Sequence, residues 1–301
     1  LEKTFLNIYD TDFKKKYLKP AGFGGKLSSH YEYIEAGRRP WKYRNAGSAI
    51  VKYDDIMPYP RICAHRGFNT VAPENSMAAF GAAVAMGADE IEFDLWPTLD
   101  GEIVSIHDYS LERVSDGEGK VYEKTYAELL KYDFGAKFDE KFAGLKIVKF
   151  EEILKKFACH TVMNIHLKSR SSEPLPISYE EFIKKVADII HKYDCEKYCY
   201  FTTGDDKMLE AAIKVAPHIT RCCGGGPTDE LKWAIVERAI KYDCKKLQFF
   251  TTYFNQEMID KAKANGIRCN YFYCDSKEDA KEVLDMGIDT VLTNDYGRVK
   301  Q

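Results

Sequence analysis

The chain has no apolar run approaching the ~18 residues that a membrane-spanning helix requires, which argues against stable membrane insertion. It has no basic excess: 44 Lys and Arg face 47 Asp and Glu, a net charge of −3. The electrostatic footprint of a nucleic-acid binder is therefore missing. It has no C-x-x-C, and its nine cysteines are scattered and odd in number. That usage suits a reducing, cytoplasmic compartment better than a disulfide framework. Leu1–Pro20 lacks a signal-peptide core, and with Leu in first place a removed leader is left open, as is the oligomeric state. No strand-like run is followed by a Gly-rich dinucleotide turn, which counts against a doubly wound open sheet.

What is present concentrates between Arg61 and Asp108. Strand-like runs at Arg61–His65 and Asp89–Asp94 flank a helical pattern at Asn75–Met86, with Met77, Phe80 and Val84 on one face and Gly87 as its stop. Strand, helix, strand is a parallel unit, so His65, Glu92 and Asp94 reach the same rim, where α/β folds do their chemistry. Only Trp96–Gly101 separates the second strand from the run Glu102–Ile106. That is too short for a parallel crossover, so a hairpin is predicted that folds His107 back toward His65. Two histidines and two carboxylates at one mouth read as an acid–base pair beside a metal site.

His65-Arg66-Gly67, Pro73-Glu74-Asn75-Ser76, Gly87-Ala88-Asp89 with Glu92-x-Asp94, Thr98-x-Asp100-Gly101 and His107-Asp108 follow in order. Together they resemble the signature of the glycerophosphodiester phosphodiesterase family; the related spider sphingomyelinases match this run less well. The resemblance reaches faintly to a closing strand at Gly287–Asn294 and does not cover the first sixty residues. It implies a metal-dependent phosphoric diester hydrolase acting on a small-molecule phosphodiester.

Downstream, strands are predicted at Thr161–Lys168, Lys197–Thr202, His218–Cys222, Lys245–Phe250, Arg268–Tyr273 and Thr290–Thr293. They alternate with helices at Tyr179–Tyr193, Lys207–Val215, Asp229–Lys241, Gln256–Ala264 and Lys277–Met286, the last opened by a Ser276/Asp279 capping box. An earlier helix is predicted at Phe150–Phe157. Without the hairpin, eight parallel strands result, and the predicted fold is an α/β TIM (β/α)8 barrel over 61–301. Turn-rich Tyr109–Lys149 is too long for an ordinary barrel loop and is expected as a small insertion above the rim. Residues 1–60 are expected as an N-terminal extension packed on the barrel; the sharper alternative is a flap bringing Tyr31, Tyr33, Arg38, Arg39 or Trp41 to substrate.

Glu92 and Asp94, two apart on a strand, share a face, and inside a barrel two carboxylates need a cation. By the resemblance they are metal ligands, His65 and His107 the acid–base pair, and Arg66 a phosphate contact. The family's third ligand is usually a Glu in an Asn-Ile-Glu-x-Lys pattern. Here Asn164-Ile165-His166-Leu167-Lys168 puts His166 in its place. A set of two carboxylates and one histidine leans from Mg²⁺ or Ca²⁺ toward Mn²⁺ or Zn²⁺. His166 as an imidazolium phosphate contact, and as a lesion making a pseudoenzyme, are the second and third readings. Lys168 shares its face and suits a phosphoryl oxygen, or an ion pair with Glu92 or Asp94. Glu74 and Asn75 are expected to cap the first helix, and Asp108 to orient His107. His30, His160, His191 and His218 are expected to be structural. Phe272 replaces a Trp that commonly lines the family's pocket; it or the next residue, Tyr273, is expected to contact the organic part of the substrate, a core aromatic being the ordinary alternative. The run Cys222-Cys223-Gly224-Gly225-Gly226 resembles a phosphate cradle without the Lys-Ser/Thr of a P-loop. The attacking oxygen is either water or a vicinal substrate hydroxyl, the latter giving a cyclic phosphate. A sugar or lipid diester would need the same machinery. An aldolase would use Lys168 as a Schiff base.

Overall fold

The computed structural model describes residues 57–170 and 173–300. The flap candidates Tyr31, Tyr33, Arg38, Arg39 and Trp41, His30, and all of the expected extension except 57–60 lie outside the described residues.

In chain order the elements are β1 (Arg61–His65), α1 (Met77–Ala85), β2 (Glu90–Pro97), β3 (Ile103–Ser105), α2 (Tyr126–Leu129), β4 (Val148–Lys149) and α3 (Phe150–Phe157). Then come β5 (Val162–Leu167), α4 (Tyr179–Lys192), β6 (Cys199–Thr203), α5 (Asp206–Val215), β7 (Thr220–Cys223), α6 (Asp229–Trp233) and α7 (Ile235–Lys241). The chain closes with β8 (Lys246–Phe250), α8 (Gln256–Ala264), β9 (Arg268–Phe272), α9 (Lys277–Asp285), β10 (Thr290–Thr293) and α10 (Tyr296–Lys300). Eight of the described strands are parallel in the order β1-β10-β9-β8-β7-β6-β5-β2, and β2 returns to pair with β1. This is a closed (β/α)8 barrel.

The alternation along β2 sets the layers. Ile91, Phe93 and Leu95 face the helices, where Phe93 packs between Phe80 of α1 (5.5 Å) and Phe150 of α3 (6.0 Å). Glu90, Glu92 and Asp94 take the alternate positions and point inward. The barrel interior is therefore polar. At its floor Glu90 accepts from Arg61 (2.9 Å) and from Tyr200 (2.7 Å), with Lys246 3.8 Å away. Such a buried carboxylate persists because its oxygens are satisfied. In the middle, Asn164 contacts Thr202 and Gln248. The mouth carries the remaining carboxylates.

Several local expectations are corrected. Helix α1 buries Ala79, Phe80 and Ala83, with Met77 and Val84 only half-buried. A small residue is needed at Ala79 because Gly67, at φ +80°, lies so close that a Cβ added to it would meet Ala79 at 2.7–2.9 Å. Ser76 is the N-cap of this helix, accepting from Ala79 N at 3.1 Å, in place of Glu74 or Asn75. The helix expected over Asp229–Lys241 is two, α6 and α7, meeting at Ala234. Ser276 caps α9 through Asp279 N (3.1 Å), without the reciprocal half of a capping box.

The hairpin forms as the short connection demands: β3 lies antiparallel on β2, with Gly101 at φ +75° in its turn. β4 adds to β3, and Tyr109–Lys149 folds over this ribbon, packing Leu111, Val121, Tyr122, Leu129 and Ile147 onto Trp96, Val104 and Ile106. All nine cysteines are buried free thiols. No helix of the described residues is long and apolar enough to cross a membrane.

Candidate active site

The C-terminal rim collects the chemistry. β2 and β5 run in parallel register with Asp94 beside His166, so one strand pair presents both. His166 Nδ1 lies 3.3 Å from Asp94 Oδ1 and 3.7 Å from Glu92 Oε1. The ligand atoms of Glu92, Asp94 and His166 all fall within 4.8 Å of one another. Asp94 is fully buried, and its Oδ1 makes no well-directed hydrogen bond. A buried carboxylate oxygen facing an imidazole nitrogen and a second carboxylate is a donor set for a divalent cation, and these three residues fit one. Lys168 Nζ is 3.0 Å from Asp94 Oδ1, the ion pair foreseen as its alternative role. Burial would raise the Asp94 pKa, but Lys168 and His166 hold it well below the usual carboxylate range.

Asn75 holds Asp94 from the other side. It adopts φ +56°, donates Nδ2 to Asp94 Oδ2 (3.0 Å), and through Oδ1 accepts from Asp94 N (3.1 Å) and Ser105 Oγ (2.9 Å). Arg66, at φ +57°, turns its backbone N–H onto Glu92 Oε2 (3.0 Å) and its side chain to Glu74 (2.9 Å) and Asp94 (3.6 Å).

The two remaining histidines stand outside the three-ligand cluster, and each is fixed at Nδ1. His65 Nδ1 donates to Asn294 Oδ1 at 2.7 Å. The Asn294 amide cannot turn, because its Nδ2 donates to Asp275 Oδ2 (3.1 Å) while Asn69 Nδ2 donates to its Oδ1 (3.3 Å). His65 Nε2 is then left facing the mouth, 3.8 Å from Glu92 Oε2. Phe272 packs on the His65 ring at 4.7 Å. His107 Nδ1 donates to Asp108 Oδ1 at 2.7 Å, as expected of an orienting carboxylate. Its carbonyl accepts from Trp96 Nε1 (3.1 Å), and the preceding residue is tied down by Ile106 N donating to Asp94 O (3.1 Å). Burial pushes the His107 pKa below its ordinary value, against the pull of Asp94.

Asn294, Asn69 and Arg113 escaped the sequence reading. Asn294 lies 229 residues from His65, and no local spacing links them. The Gly224–Gly226 loop is a structural close approach. A Cβ on Gly204 would lie 2.6 Å from Gly226 N, and Arg238 binds the carbonyls of Gly204 and Gly224 at 2.8 Å each. Two cavities open at the rim. One of about 330 Å³ lies between His107, Arg66 and the inserted segment's Phe134 and Phe138. The other, about 1090 Å³, runs from His166 and Lys168 past Tyr179 to Phe250.

Residues 65–298 match the model of the glycerophosphoryl diester phosphodiesterase family. A glycerophosphodiester phosphodiesterase of Caldanaerobacter subterraneus subsp. tengcongensis is 32% identical over 244 residues, covering 78% of this chain and 93% of that protein. One of Bacillus subtilis is 26% identical over 251 residues, covering 77% and 82%. A solved Oleispira antarctica phosphodiesterase, in complex with the product sn-glycerol-3-phosphate, shares the fold with a TM-score of 0.72 at 24% identity, covering 80% of this chain and 96% of that one. The chain belongs to the glycerophosphoryl diester phosphodiesterase family.

Proposed function

We propose that this phosphoric diester hydrolase cleaves glycerophosphodiester-like substrates to an alcohol and a phosphomonoester by acid–base catalysis between His107 and His65. One observation carries the reading. Both imidazoles are held at Nδ1, by Asp108 at 2.7 Å and Asn294 at 2.7 Å, so both present Nε2 for proton transfer beside the buried carboxylates. His107, whose burial favours the neutral ring, is the base that takes the proton of the attacking oxygen at Nε2. His65, with Glu92 near its Nε2, gives a proton to the leaving alkoxide.

Glu92, Asp94 and His166 would hold a divalent ion, which when bound supplies positive charge for the phosphoryl oxygens. With one neutral ligand the set carries one charge less than three carboxylates, which favours Mn²⁺ or Zn²⁺ relative to Mg²⁺ or Ca²⁺. Lys168 and Arg66 sit where a ligand anion would draw them from their present carboxylate partners. Phe272 walls the mouth beside His65. The position of His166 against both carboxylates speaks for a ligand and against a lesion.

Phosphorus NMR of a glycerophosphodiester turnover, run with each of the four ions, tests the reading. A phosphomonoester formed directly is expected. A cyclic phosphate as the first product would make the attacking group a substrate hydroxyl, and no product with any ion would refute catalysis.

A further inference from the structure

One side chain at the mouth lies outside the acid–base and metal scheme yet binds the carboxylate partners of both His107 and Arg66. Arg113, from the inserted segment, donates Nη1 to Glu74 Oε2 (2.8 Å) and Nη2 to Glu74 Oε1 (2.7 Å), and its Nε to Asp108 Oδ2. Glu74 Oε1 also accepts from Arg66 (2.9 Å), and Asp108 Oδ1 from His107 (2.7 Å). His107, Asp108, Arg113, Glu74 and Arg66 thus form one continuous chain of charge-assisted bonds. Within it Arg113 alone touches both carboxylates.

The charge balance gives this bridge a consequence. Glu74 is shared between two guanidinium groups, so Arg66 is not fully neutralised and keeps positive charge for a substrate anion. Without Arg113, both Glu74 oxygens would be left to Arg66 alone, and Asp108 would lose the contact that fixes its angle to His107. The carboxyls of Glu74 and Asp108 sit below their usual range despite burial, because of these arginine and histidine contacts.

We propose that Arg113 is a positioning residue: by bridging Glu74 and Asp108 it keeps Arg66 available to a phosphoryl oxygen and His107 aimed at the reacting oxygen, coupling the inserted segment to turnover. The inference rests on the phosphodiesterase reading for what is turned over. Lysine cannot replace this arginine, since one ammonium cannot grip both Glu74 oxygens and reach Asp108.

The test uses the full chain loaded with metal. It compares wild type, Arg113→Ala, Arg113→Lys, Glu74→Gln and the double variant Arg113→Ala/Glu74→Gln. Turnover of a glycerophosphodiester, affinity for inorganic phosphate and melting temperature are measured on each. Arg113→Ala and Arg113→Lys should each lose about tenfold or more in kcat/KM and in phosphate affinity, with melting temperatures near wild type. Millimolar guanidinium should restore part of the loss in Arg113→Ala, and Glu74→Gln should cost much less in that background than alone. A merely structural role would instead lower the melting temperature together with the rate. The proposal is overturned if Arg113→Lys stays within about twofold of wild type on both readouts, or if the Arg113 and Glu74 losses simply add. A wild type that turns over no diester would refute the phosphodiesterase reading, while the phosphate comparison would still decide the role of Arg113.

Discussion

Replacing His166 separates a ligand from a bystander. Its Nδ1 lies 3.3 Å from Asp94 Oδ1 and 3.7 Å from Glu92 Oε1, so His166→Ala removes one of three donors and leaves two buried carboxylates with less compensation. Loss of even an outer partner of a metal ligand costs about 10–100-fold in affinity, so about 100-fold is a fair minimum here. With the ion at 100 times the wild-type Kd, binding stabilises wild type by about 2.7 kcal/mol and the variant by about 0.4 kcal/mol. The difference corresponds to roughly 5–9 °C in melting temperature at 2–4 °C per kcal/mol. The metal-free proteins should differ by less than this, because Asp94 keeps Lys168 and Asn75 at 3.0 Å each. Thermal melts with and without Mn²⁺, read by fluorescence, give both numbers. An equal metal-induced rise in wild type and variant would remove His166 from the ligand set and leave phosphate contact as its role. His166→Glu, restoring the family's carboxylate, should move preference toward Mg²⁺ and Ca²⁺.

Other outcomes follow from the same geometry. His65→Ala and His107→Ala should each lower turnover roughly 10²–10⁴-fold with metal content nearly unchanged; near-normal turnover in either would strike that residue from the mechanism. Because burial lowers the His107 pKa from 6.5 against the opposing pulls of Asp94 and Asp108, and an ion on Asp94 would weaken the first of these, its base form persists at neutral pH. The His107-dependent fall in kcat/KM should therefore be centred below 6.5, and a fall centred above it would contradict the assignment. Asn294→Ala should cut turnover about tenfold or more by freeing the His65 ring, with metal affinity kept; an unchanged rate would make the Asn294 contact incidental.

What could be read from the chain followed physical range. β1, β10, α3 and α8 begin and end where the apolar patterns do, because strand and helix periods are local. Glu92 and Asp94 were legible as a pair because two-residue spacing on one strand fixes a shared face, whereas His166 joined them only through the resemblance to the family's Asn-Ile-Glu-x-Lys pattern. β2 runs on to Pro97, beyond the expected Asp94, because β3 pairs with its outer end, and that depends on a partner rather than on propensity. The floor network of Arg61, Glu90, Tyr200 and Lys246, the Asn294–His65 bond and the Arg113 bridge join distant segments, so no window of sequence contains them. The burial of α1 through Ala79 and Ala83 was missed because hydrophobicity ranks Met and Val above Ala, whereas at Ala79 the close approach of Gly67 demands a small side chain.

The central claim is that turnover needs an ion at Glu92, Asp94 and His166 beside two proton-transferring histidines. Its most direct test is the rate of glycerophosphodiester hydrolysis by wild type after chelation, and again after adding back each divalent ion. The expected result is loss of activity on chelation and recovery with Mn²⁺ or Zn²⁺ at lower concentration than with Mg²⁺ or Ca²⁺. Undiminished hydrolysis in chelator, with bound metal shown to be absent, would contradict it.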